Sequence, residues 1–122
     1  MKLKNYAIHK VINGNEEWAR VRKRLAEFPP HFHSYKTIEL LDVCRASRLV
    51  RYLDPYISLS RLGLHRYDTY EAGIADDFLC LYFHQNQYVV STYDNYQKWF
   101  FSEAQEAVEF VKRNLEKEKA FS

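Results

Sequence analysis

Three strand-like runs, residues 78–84, 87–93 and 96–101, follow one another with only two residues between neighbours. The separators are Gln85-Asn86 and Asp94-Asn95. Asn and Asp tolerate positive φ, so both pairs suit tight hairpin turns. This spacing constrains the fold more than any other feature, because a two-residue loop fixes the pairing register. Phe83 then faces Tyr88, Leu81 faces Val90 and Leu79 faces Thr92. Across the second turn, Val90 faces Trp99 and Tyr88 faces Phe101. One sheet face collects Leu79, Leu81, Phe83, Tyr88, Val90, Trp99 and Phe101. The other collects Cys80, Tyr82, His84, Val89, Ser91, Tyr93, Tyr96, Lys98 and Phe100. A greasy face and a mixed face are the pattern of an antiparallel sheet covered on one side.

The cover is predicted to begin at Ser102, which forms a capping-box pattern with Gln105. Ala104, Ala107, Val108, Val111 and Leu115 then line one side of a helix. Its acids come early and its bases late, which complements the helix dipole. Upstream, Asn15 is a suitable N-cap for a helix whose apolar stripe is Trp18, Val21, Leu25 and Phe28. Pro29-Pro30 ends it. A second helix is predicted over 37–53 from Ile38, Leu41, Leu49 and Leu53, stopped by Asp54-Pro55; a strand at 37–43 is the competing reading. Residues 56–77 read weakly, with 66–77 as an exposed loop. The expectation is a single α+β domain over 1–122: N-terminal helices, a small antiparallel sheet as a three-stranded meander, and a C-terminal helix.

Charge is unevenly spread. Residues 1–66 carry 13 Lys and Arg against 6 Asp and Glu, whereas 67–122 carry 5 against 10. That split predicts opposite potentials on two parts of the surface. The two cysteines, Cys44 and Cys80, are too few for a disulfide framework; two buried free thiols are the favoured reading and a single bridge between them the alternative. The first residues lack the apolar stretch of a secretory signal, and no apolar run is long enough to span a bilayer, so a cytoplasmic protein without membrane contact is expected.

Signals for chemistry are sparse. His31-x-His33 could share a ligand only in an extended segment, and no third ligand stands at a recognised spacing. Asp76-Asp77 has no second acidic cluster beside it in sequence. Neither cysteine has a neighbouring histidine, and 3 glycines leave no room for a phosphate loop. No catalytic residue, metal ligand or cofactor is therefore expected. Arg20, Arg22, Lys23 and Arg24, with Arg45, Arg48 and Arg51, suggest an alternative: a nucleic-acid-binding or regulatory module. The acidic sheet half argues against nucleic acid, since stacking platforms sit in positive grooves.

The run from Asp77 to Val90, then Tyr96-Gln97-Lys98-Trp99-Phe100-Phe101-Ser102 and the Glu106 to Val111 helix, resembles the C-terminal part of small immunity proteins of bacterial polymorphic toxin and contact-dependent growth inhibition systems. The resemblance covers about residues 67–118. It implies a non-enzymatic protein that binds a cognate toxin domain, often a nuclease, and occludes its active site. Many such proteins are acidic, whereas this chain has a net charge of +2. The expected contacts are Asp68, Tyr70, Glu71, Asp76 and Asp77 in the loop, with Tyr82, Tyr93 and Tyr96 on the mixed face. Tyrosines and charged groups are the usual anchors and steering groups of such interfaces.

Overall fold

The computed structural model describes residues 14–69 and 74–118. Helix α1 spans Gly14–Ala26, a 3-10 turn Pro30–Phe32, α2 Ser34–Ala46, and a second 3-10 turn Arg48–Arg51. Five strands follow: β1 Leu53–Ser58, β2 Arg61–Thr69, β3 Ile74–His84, β4 Gln87–Ser91 and β5 Lys98–Phe101, before α3 at Ala104–Glu118. The strands form one antiparallel sheet in the order β1-β2-β3-β4-β5.

The hairpin register is the one that the turns dictate. Phe83 pairs with Tyr88 and Leu81 with Val90; Val90 pairs with Trp99 and Tyr88 with Phe101. Gln85 and Asn86 both have positive φ (52° and 64°), as a tight primed turn needs. The second connection is longer than two residues. β4 stops at Ser91, so Leu79 and Thr92 are not paired within the sheet. Thr92 N–H donates to Gln97 O and Asn95 N–H to Thr92 O, both at 3.0 Å, which leaves residues 93–96 as the loop. The register survives because only the ladder end is shortened.

The three-strand expectation is corrected to five. Asp54-Pro55 does not stop a helix; α2 ends at Ala46, and Leu53 already belongs to β1. In a two-residue hairpin the closing pair, here Ser58 and Arg61, exchanges both backbone bonds, so alternate residues turn theirs outward. Leu53 obeys this: its carbonyl accepts from Trp18 Nε1 at 3.3 Å, on the side away from β2. Pro55 shares that parity, so its missing N–H falls on the open edge and costs no ladder bond. Residues 66–77, read as a loop, largely belong to β2 and β3. The strand alternative at 37–43 is excluded by α2.

All three helices lie on one side of the sheet, α1 against β1, α2 against β2 and β3, and α3 against β4 and β5. The core joins Trp18, Leu25, Leu40, Leu41 and Leu49 to Leu53, Leu62, Leu64, Leu81 and Val90, then to Val108, Val111 and Leu115. Each such aliphatic side chain, fully buried, contributes about 1.5–3 kcal/mol. The expected apolar sides of α1 and α3 are the buried ones. The cap of α3 lies one residue further along than Ser102/Gln105, with the Glu103 N–H donating to the Glu106 carboxylate at 3.3 Å.

Candidate functional site

Among the described residues no helix covers the second sheet face. Its centre is a cross-strand row of Tyr56, Gly63, Cys80, Ser91 and Lys98, consecutive partners in the ladder. Three small residues in the middle make a trough, and two long side chains from β1 and β2 lie in it.

The first is Tyr56. Its ring sits so close over Gly63 that an added Cβ there would stand 2.3–2.6 Å from the ring carbons. The ring stacks on His65 with centroids 4.0 Å apart and planes 17° from parallel. Its hydroxyl donates to Asp77 Oδ1 at 3.0 Å, and His65 Nε2 meets the same oxygen at 3.0 Å. Burial, then Cys80 and Asp77, raise the Tyr56 phenol above its ordinary pKa, so it stays a donor.

The second is Arg61, only 8% exposed. Nε donates to Ser58 O (3.4 Å); Nη1 donates to Ser91 Oγ (3.4 Å) and Asn95 Oδ1 (3.3 Å); Nη2 donates to Ser58 Oγ and Tyr93 O (both 3.0 Å). These contacts engage all of the guanidinium's N–H groups with neutral acceptors. The cation also lies 5.8 Å from the Tyr93 ring centre, and Tyr93 is 6.4 Å from Tyr56. Asp94 completes the loop: it accepts from Thr92 Oγ1 (2.7 Å) and from the Tyr96 N–H (3.0 Å), bonds that hold its pKa below the usual value.

Of the expected contacts, Asp77, Tyr82, Tyr93 and Tyr96 share this face or its loop. Tyr93 is 48% and Tyr96 86% exposed, and Phe100 on β5 is 54% exposed. Tyr82 is half-buried, its phenol raised chiefly by burial. Asp77 lies within β3 rather than in a loop. Asp68 and Asp76 lie in β2 and β3, but their side chains are outside the described set; Tyr70 and Glu71 lie outside the described residues altogether. The mixed face is drier than its sequence suggests, because Cys80 and Ser91 in the trough and Val89 in the next row are buried. Tyr56, Arg61 and His65 were not among the expected contacts. The alternation of Arg61, Gly63 and His65 with Leu62 and Leu64 is the signal that would have found two of them.

Cys44 and Cys80 are free and buried; burial pushes the Cys44 thiol up to about 12 and also raises Cys80. Among the described residues no three His, Cys, Asp or Glu side chains stand close enough to hold a metal ion, and no helix is long and apolar enough to cross a membrane. His31 lies within a 3-10 turn that His33 follows, not in an extended segment; His31 lies against Phe32 and His33 against Phe83. Several arginines of the helices are engaged internally. Arg20 pairs with Glu17, Arg22 grips both oxygens of Asp42 (2.8 and 3.0 Å), and Arg45 donates to Asn15. The charge split does not separate helices from sheet either, since β1 and β2 come from the basic half.

No protein-family model, no curated protein and no solved structure matches the chain.

Proposed function

We propose that the protein is a non-enzymatic binding protein of the immunity type, which neutralises a cognate bacterial toxin domain by covering its active site. The carrying observation is the sheet face that no described helix covers, where exposed Tyr93 and Tyr96 stand on a loop held by Arg61 and Asp94 and Phe100 is exposed on β5. Exposed aromatics with few rotatable bonds lose little entropy on binding, and a prefixed loop lowers that cost further. The polar groups of the face are spent on one another: Tyr56 and His65 on Asp77, Arg61 on the loop. Such internal satisfaction suits a rigid contact surface better than a reaction site, which needs donors aimed at a substrate. The toxin class comes from the resemblance of residues 67–118, and a nuclease is the favoured target.

The test starts from the gene's neighbourhood, where a toxin domain encoded immediately upstream is the expected partner and its absence would count against the reading. Co-expression should restore growth of cells making that domain, and calorimetry should show a 1:1 complex. Tyr93→Ala, Tyr96→Ala and Asp77→Lys should weaken the complex while the melting temperature of Tyr96→Ala stays unchanged, because Tyr96 is almost fully exposed. Undiminished binding by all three variants would remove this face as the contact surface. No protection by the wild-type protein would remove the immunity reading itself.

A further inference from the structure

A second surface lies at the opposite border of the molecule from β5. Between α1 and the edge of β1, which pairs with β2 alone among the described strands, runs a groove of about 420 Å³, floored by Val21, Phe28, Pro55 and Ile57 and rimmed by Glu17, Arg20 and Arg24. Two further observations single it out. The parity that sends the Leu53 carbonyl outward to Trp18 also turns the Ile57 N–H and C=O outward, beside the groove. At its mouth stands Leu59, 84% exposed and at φ 60°. That conformation suits Gly or Asn; a branched apolar residue there is strained and gains nothing from burial. A strained, exposed apolar residue at a turn tip points to a use outside the fold.

We infer that this groove binds an extended segment of a partner protein, one that pairs its backbone with Ile57, packs an apolar side chain against Leu59 and places a carboxylate on Arg24. Adding a strand to a free edge supplies affinity through the main chain and specificity through alternate side chains. The rim argues for an acidic occupant. Arg20 is balanced by Glu17. The chain's own residues 1–13 carry Lys2, Lys4 and Lys10 and no acid, so the complementary charge must come from elsewhere. This surface is independent of the tyrosine face, and either can fail without the other.

The probe is the synthetic peptide acetyl-Glu-Val-Glu-Val-Glu-amide, titrated at low salt into the isotopically labelled full chain and followed by amide shifts. Expected are shifts at Ile57, Ser58, Leu59 and α1, with affinity reduced about fivefold by Arg24→Glu, as loss of one ion pair implies. N-methylation of the peptide at alternate residues should abolish binding if the main chain pairs with β1, and the lysine counterpart acetyl-Lys-Val-Lys-Val-Lys-amide should not bind. Absence of shifts, shifts confined to the tyrosine face, equal binding of the lysine peptide, or indifference to N-methylation would each overturn the inference. Arg24 is exposed, so its variant should fold normally.

Discussion

Replacing Gly63 with alanine should destabilise the protein although it adds only one methyl group. The Cβ would stand 2.3 Å from Tyr56 Cζ, far inside contact distance. The Tyr56 ring must therefore leave, because Gly63 lies in the middle of the sheet and cannot move. With the ring go its stack on His65, about 0.5–1.5 kcal/mol, and the hydroxyl bond to Asp77. That bond reaches a partly exposed carboxylate, so about 1 kcal/mol is the discounted figure. Part of the ring's burial is lost as well, about 1 kcal/mol. Against this, alanine in a strand gains about 0.5–1 kcal/mol over glycine. The net cost is about 2 kcal/mol. Urea unfolding is the assay; with a slope of about 1.5 kcal/mol/M the midpoint should fall by more than 1 M. The decisive measurement is the double-mutant cycle. In a Tyr56→Ala background the same Gly63→Ala change should be neutral or stabilising, since nothing remains to collide with. An equal cost in both backgrounds would show that the ring does not occupy the trough.

Arg61→Met keeps the stem but removes five donors, leaving Ser91 Oγ, which is fully buried, without this donor; a loss of about 2–4 kcal/mol by urea unfolding is expected, with faster amide exchange at Asn95 and Tyr96. Leu59→Gly should raise stability by about 1 kcal/mol, seen as a melting temperature a few degrees higher, because it relieves a left-handed leucine that buries nothing; the same variant should bind the acidic peptide more weakly. Asp94 has a folded-state pKa below its ordinary value of 3.8, so its contribution is present above that value and is lost as pH falls through the lower folded one. Amide exchange at Tyr96 and Gln97 should therefore accelerate on strong acidification in the wild type, whereas Asp94→Ala should show fast exchange at neutral pH and no such transition.

The half of the fold fixed by turns was legible, and the half without them was not. Gln85-Asn86 and the period-two alternation from Leu79 to Phe101 determine pairing locally, so the sheet faces follow from counting. β1 and β2 offer no such handle. Pro55 reads as a breaker until one knows that β1 is an edge strand whose outward positions need no N–H. Leu49 and Leu53 keep helical spacing with Leu41, yet they bury themselves in a 3-10 turn and a strand; periodicity cannot distinguish those outcomes in a short apolar stretch. For the site, exposed Tyr93 and Tyr96 were visible because they flank a turn on the mixed face. Arg61 was not, because its acceptors come from β1, β4 and the loop after β4, and only the folded sheet brings them together.

The two faces of the sheet are solved by different physics, and that difference bears on function. On the covered face the helices supply large apolar side chains, and burial alone stabilises the layer. On the other face no described helix docks, and two side chains of the strands themselves lie over its centre. Gly63, Cys80 and Ser91 are small enough for the Tyr56 ring and the Arg61 side chain to lie over them, which helps to bury this row. A long side chain can lie flat only if its polar end is anchored, and the anchors are Asp77 for the tyrosine and Ser58, Ser91, Asn95 and Tyr93 for the arginine. The same bonds that cover the sheet therefore set the position of the loop carrying Tyr93 and Tyr96. Stability and display are coupled here: a change that loosens the cover must also loosen the surface, whereas a change at exposed Tyr96 can alter binding and leave the fold intact.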